Sequence, residues 1–330
     1  VKKLKKIFLL VVLSSILLLS GCTKYNESSI KKDLNKEIKS IKGYHILGDL
    51  DIYNGDNTYR YKVETSNDKD KYRVSLINKS NNHEQIIIKN DDGVYVLNPS
   101  LNKSYKFQSK WPENSSQIYL LESLMNDINN DKSFKLVEKD NNYVIETKIA
   151  YSNNKNFVKE KIYLDKNLNF KRVEVYDEDN NIQMKIIFNE IDKKAKFNDN
   201  YFDIKENMNT KKETEETMSK IEDPIYPMYL PSGTYLSGEE SVSKEDGERV
   251  ILTFAGESPF ILVQETMNSK EESIPVMGEP TFITDTVGAI SNNSVNFVSN
   301  GIEYYLSSDS LTTEEMMQIA ESISPVAVMK

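Results

Sequence analysis

Asn90-Asp91-Asp92-Gly93-Val94-Tyr95-Val96-Leu97-Asn98-Pro99-Ser100-Leu101-Asn102-Lys103, residues 90–103, reads as turn, strand, turn. Four turn-forming residues precede a β-branched, aromatic and aliphatic run, and Pro99 ends it because proline has no N–H to give to a ladder. The same punctuation recurs on both sides. Upstream, Tyr59, Tyr61 and Val63 alternate with Arg60, Lys62 and Glu64, Ile86-Ile87-Ile88 follows, and Asn54-Gly55-Asp56 is turn chemistry. Downstream, strands fit residues 135–137, 143–149, 157–164, 170–176 and 184–191, divided by Asp140-Asn141-Asn142, Asp165-Lys166-Asn167 and residues 177–181. Short strands at regular spacing with tight polar turns predict an antiparallel meander.

Two helical patterns interrupt it. Ile30, Leu34, Ile38 and Ile41 share one face before Gly43, and residues 118–128 carry a wide apolar stripe through Ile118, Leu121, Met125 and Ile128. Sheet and helices segregated along the chain make residues 30–205 an α+β domain. Residues 206–223 are polar and charged with almost no periodicity, which predicts a linker. Residues 224–330 open on a Pro-rich stretch and predict a smaller α+β domain, with strands at 234–242, 249–254 and 260–265, weaker ones near 281–283, 294–297 and 302–306, and a final helix. Thr312 and Glu315 stand at capping-box spacing before the helical face Met316, Ile319, Ala320 and Ile323.

The amino terminus is an address. Lys2, Lys3, Lys5 and Lys6 precede an apolar run from Ile7 to Leu19, shorter than the roughly 20 residues a spanning helix needs. That is the layout of a secretory signal peptide over residues 1–21. It ends Leu19-Ser20-Gly21-Cys22, which resembles the lipobox of bacterial lipoproteins; the resemblance implies cleavage between Gly21 and Cys22 and a covalent diacylglycerol on the Cys22 thiol. Cys22 is the chain's one cysteine, and two acyl chains suffice for stable anchoring. Residues 22–29 then form a lipidated tether. Removing residues 1–21 takes away four lysines and no acid, moving the formal charge from -9 to -13, so lipid rather than a basic patch would hold the chain to the outer face of the cytoplasmic membrane.

Composition excludes several other functions. The 330 residues carry 42 Lys and Arg against 51 Asp and Glu, which argues against a nucleic-acid binder relying on phosphate attraction. One cysteine forbids an internal disulfide, and the two histidines, His45 and His83, lie far apart and away from Cys22, so no zinc or other metal site is expected. Asp49-Leu50-Asp51 and residues 177–181 fail as calcium loops, because position six from Asp177 is Ile182 and position twelve is Phe188; they read as a strand edge and a hairpin turn. No nucleophile elbow exists, and no catalytic residue or cofactor is expected beyond the lipid on Cys22. Aromatic residues at alternating positions, among them Tyr59, Tyr61, Tyr95, Tyr105, Phe107, Tyr143, Phe157 and Phe170, leave two readings open. They form either a sheet face covered by the two helices or an apolar groove for an acyl chain or a partner's segment.

The run from Asp92 to Lys103, followed by Trp111-Pro112, the helical stripe and Asn198-Asp199-Asn200-Tyr201-Phe202, resembles the LolA/LolB/RseB superfamily over about residues 27–205. The resemblance implies an eleven-strand-like, curved antiparallel half-barrel with helices across its concave face. The lipobox and the second domain resemble the Gram-positive sporulation and germination branch, whose GerS-like lipoproteins are noncatalytic and support a cortex amidase. Residues 230–233, 301–306 and 311–323 resemble a domain of unknown function at the ends of sporulation and anti-sigma lipoproteins. The resemblance thus implies a noncatalytic, membrane-anchored protein that binds a protein partner, a cortex amidase or an anti-sigma factor as in RseB. A lipid or lipoprotein receptor of the LolA/LolB kind is the alternative.

Overall fold

A computed structural model describes residues 25–113, 116–149, 151, 154–209, 221, 223–244, 247–267 and 272–323. Cys22, Gly21 and most of the expected linker lie outside these residues. The chain opens with α1 (Glu27–Ser40), three residues before the first apolar position of its stripe. Asn26 and Ser29 form a reciprocal capping box there, which fixes the start. Strands β1 (Gly43–Asn54), β2 (Asn57–Asp68), β3 (Lys71–Asn78), β4 (Glu84–Asn90), β5 (Gly93–Asn98) and β6 (Lys103–Phe107) follow. The opening motif is β5, and Pro99 begins a single 3-10 turn to β6.

Helix α2 (Leu121–Asn130) starts later than its stripe suggested. Ile118, Tyr119 and Leu120 are buried but lie ahead of the helix, with Leu120 in an extended conformation as its N-cap. Burial rather than helicity made those three residues apolar. The sheet resumes with β7 (Lys135–Lys139), β8 (Asn142–Lys148), β9 (Lys159–Leu164), β10 (Phe170–Tyr176) and β11 (Ile182–Asp192), and α3 (Ile204–Met208) follows. A second sheet contains β12 (Thr234–Lys244), β13 (Gly247–Gly256) and β14 (Phe260–Thr266). After β15 (Glu272–Val276), it continues with β16 (Glu279–Ile283), β17 (Thr286–Ile290), β18 (Ser294–Ser299) and β19 (Ile302–Ser307), before α4 (Thr313–Ser322).

The first sheet has twelve strands rather than eleven, in the order β15-β6-β5-β4-β3-β2-β1-β11-β10-β9-β8-β7. Its extra strand comes from the C-terminal part of the chain: β15 lies parallel to β6, from Glu272 beside Lys103 to Val276 beside Phe107. All other pairs are antiparallel. Register shifts at Leu47/Gly48, Phe170/Arg172 and Val175/Tyr176 bend the sheet, as bulges do. At the first bend a Cβ on Gly48 would stand 2.8 Å from the Ile187 carbonyl oxygen, so only glycine fits.

The curved sheet folds around α1 and α2. Ile30, Leu34 and Ile38 of α1 join Leu121, Leu124, Met125 and Ile128 of α2 in the main core, with Tyr61, Tyr105, Phe107, Tyr143 and Phe170 from the strands. Lys31 Nζ donates to the Ile128 carbonyl at 2.9 Å, closing the end of α2 where cations are favoured. Tyr95 points to the other face, where Ile86, Ile88 and Leu97 pack against Ile204 and Met208 of α3. Most of the sequence-flagged aromatics are therefore core, as the covered-face reading expects.

The second sheet runs β12-β13-β14-β19-β18-β17-β16 and buries one face under α4. Thr312 and Glu315 make the expected capping box. Among the described residues, two of the ties between the sheets stand out. One is β15; the other is Gln85 on β4, which accepts from Val287 N at 2.6 Å and Thr286 Oγ1 at 3.0 Å and donates to the Val287 carbonyl at 3.1 Å. Between β15 and β16 stands Gly278 at φ +106°, where a Cβ would lie 2.0 Å from the Ile290 carbonyl oxygen.

Candidate functional site

A cleft of about 490 Å3 opens where the two sheets meet. That volume is within the range of ligand pockets. The first sheet contributes Ile52, Tyr53 and Asn54 at the end of β1, Tyr59 on β2, and Gln183 with Met184 on β11. The segments around α2 and before β9 add Ile118, Tyr119, Tyr151 and Phe157. Opposite them stand Pro280, Thr281 and Phe282 of β16 with Met317, Gln318 and Glu321 of α4. The wall is therefore composite, and neither sheet forms it alone. Asn156 Nδ2 reaches across it to Glu314 Oε1 at 3.2 Å.

Periodicity explains which side chains reach the cleft. Met317 and Glu321 are four residues apart on α4, so they share the face beside the one that Met316, Ile319 and Ala320 bury in the second core. Phe282 packs on the first core and meets the Tyr61 ring at 5.8 Å. Tyr151 and Phe157 meet edge to face at 5.2 Å, a favoured aromatic geometry.

Electrostatically the cleft is one-sided. Asp177, Glu178, Asp179 and Glu321 line it, and none of the described lining residues is Lys, Arg or His. Burial pushes the Glu321 carboxyl up to about 7, against a hydrogen bond from Asn54 that favours the ionised form. Asp177 is held by its own turn, accepting from Asn181 N at 2.7 Å and Gln183 Nε2 at 2.7 Å, so the hairpin reading of residues 177–181 stands.

A second group of acids neighbours Tyr151 of the cleft lining. Glu160 on β9 is fully buried, and among the described residues neither of its carboxyl oxygens has a hydrogen-bond partner. Burial, and then the neighbouring Asp127 on α2, push its carboxyl well above the ordinary range. Asp127 Oδ1 accepts from Ser116 Oγ at 2.7 Å while its Oδ2 is buried and unpartnered. The Tyr151 hydroxyl, buried with no partner among the described residues, has both carboxyls as electrostatic neighbours.

The histidines stand apart from all of this. His45 Nε2 is 3.3 Å from Glu64, and His83 Nδ1 is 3.2 Å from Ser100 Oγ. Asp49 pairs with Lys79, and Asp51 with Lys185 at 3.0 Å. Among the described residues no group of three or more His, Cys, Asp or Glu is placed to hold a metal. Neither Glu321 nor Glu160 was singled out in the sequence. Each is one acid among 51, and only the meeting of the two sheets or the depth of β9 distinguishes it.

Comparisons with known proteins bear on the whole chain. Solved structures that are similar include the MucA/MucB complex of Pseudomonas aeruginosa, 11% identical over 89% of this chain and 99% of that one, at a TM-score of 0.32. The CwlD amidase of Clostridioides difficile in complex with the GerS lipoprotein gives a match 18% identical over 53% of this chain and 96% of the other, at a TM-score of 0.28. In sequence, the sporulation protein YdcC of Bacillus subtilis is 36% identical over 98% of both chains. Residues 2–202 match the family described as sporulation protein YdcC-like. With that match across more than half its length, the chain belongs to the YdcC-like sporulation protein family.

Proposed function

We propose that this protein is a noncatalytic, lipid-anchored envelope protein that binds a protein partner in sporulation or spore germination. The observation that carries the reading is the composite cleft in a chain of a sporulation family. A concave surface built by two sheets presents apolar and polar side chains from both, which gives a bound segment several points of contact. The lipobox supports attachment through Cys22 to the outer face of the cytoplasmic membrane, and the family resemblance of the sequence names the kinds of partner to look for: a cortex amidase or an anti-sigma factor.

Crosslinking from native membranes during sporulation, followed by partner identification, tests the central claim. Recovery of one reproducible partner supports it, and repeated recovery of none rejects it. Deleting the gene and scoring cortex and germination tests the process; normal spores with intact muramic lactam would remove the germination version. For the anchor, metabolic labelling with palmitate should mark the wild type and leave Cys22→Ser unlabelled. A receptor for an acyl chain is the second reading, favoured by the aromatic floor of the cleft. Its acidic rim opposes a fatty-acid carboxylate, which places that reading second.

A further inference from the structure

We propose that the cleft binds a partner segment in which a Lys or Arg side chain is flanked by apolar residues. This inference rests on the partner-binding reading and names the chemistry of the segment. The lining offers the rings of Tyr59, Tyr151, Phe157 and Phe282 together with Met184 and Met317. Such a surface takes apolar side chains, and its rings attract a cation over their faces. Acids stand on both sides of it: Asp177, Glu178 and Asp179 on the first sheet's turn, and Glu321 on α4.

The cations on adjoining strands are already engaged. Lys185 pairs with Asp51 and donates to Tyr53 Oη at 3.2 Å, and Lys159 donates to Asn180. Among the described residues Glu321, buried and taking a hydrogen bond from Asn54, has no positively charged partner. A long basic side chain suits the place, since its stem packs on apolar surface while its head reaches the carboxylate. An anionic or wholly apolar occupant would leave the lining carboxylates facing like charge or no charge, and it would forgo the charge-assisted contact that the acids offer.

Binding of synthetic peptides to the purified full-length chain, followed by calorimetry, tests this. The probe is acetyl-Leu-Phe-Lys-Phe-Leu-amide, compared with its norleucine and glutamate counterparts and with laurate. The Lys peptide should bind, the norleucine peptide should bind about tenfold more weakly, and the glutamate peptide should not bind. Glu321→Gln should weaken the Lys peptide about tenfold and leave the norleucine peptide unchanged. Should Glu321→Gln fold poorly, Glu178→Gln with Asp179→Asn on the exposed turn serves the same purpose with a smaller loss. Equal affinity for the Lys and norleucine peptides overturns the inference, as does no binding of the Lys peptide at millimolar concentration or tighter binding of laurate. The two readings fail separately. If membrane crosslinking yields a partner whose capture is unchanged by Glu321→Gln, partner binding stands and the cationic segment falls; if crosslinking yields nothing, the partner-binding reading falls, and the peptide series still decides whether the cleft prefers a cation flanked by apolar residues.

Discussion

Glu160 shows how much a single side chain in the core can determine. A fully buried carboxyl without a partner is stable only when neutral, and the nearby Asp127 adds to the cost of its charge. In the unfolded chain Glu160 releases its proton near its ordinary value of 4.5, whereas in the folded chain it keeps it to a much higher pH. The folded state thus binds more protons above pH 4.5, and stability falls as pH rises. Glu321 adds the same sign between 4.5 and about 7. Glu160→Gln should raise stability by roughly 1–3 kcal/mol at pH 8 and by less at pH 5, read from urea unfolding at both. A loss of stability at pH 8 would contradict it. None of this was legible in the sequence, since Lys159-Glu160-Lys161 looks like an ordinary solvated stretch of strand until β9 is placed under α2.

Single elements were far more legible than single acids. The spacing of Thr312 and Glu315 predicted the start of α4, and the structure has both halves of the box, with Glu315 N donating to Thr312 Oγ1 at 3.2 Å and Thr312 N donating to Glu315 Oε2 at 2.8 Å. Thr312→Ala should cost about 1 kcal/mol in chemical denaturation. Because α4 carries Met317 and Glu321, the same change should also weaken the cleft. The alternating strands were legible for a related reason: period two and turn residues are local signals, and β2, β5 and β10 needed nothing more. The start of α2 was misjudged because Ile118, Tyr119 and Leu120 imitate a helical stripe while serving the core from an extended segment. Hydropathy reports burial first and conformation second.

At the scale of the molecule, the joint between the sheets was illegible. Residues 272–276 contain Pro275, which argues against a strand, and the partner strand lies roughly 170 residues earlier in the chain. Only an edge position beside β6 makes that segment a strand. The joint should be sensitive. Gln85→Ala removes three hydrogen bonds and leaves Val287 N buried, which should cost about 2–4 kcal/mol, and limited proteolysis should then cut between the sheets. Gly278→Ala should cost at least about 2 kcal/mol at the same junction, measured by thermal unfolding. The parallel β6–β15 pair also sets a timetable for the newborn chain. Strand β6 is complete at Phe107, but its neighbour is not made until Val276, so at roughly 5–20 residues per second the first sheet waits some 10–30 seconds with a bare edge. During that interval the edge can pair with the wrong strand, and a chaperone would have its best chance to act on this chain.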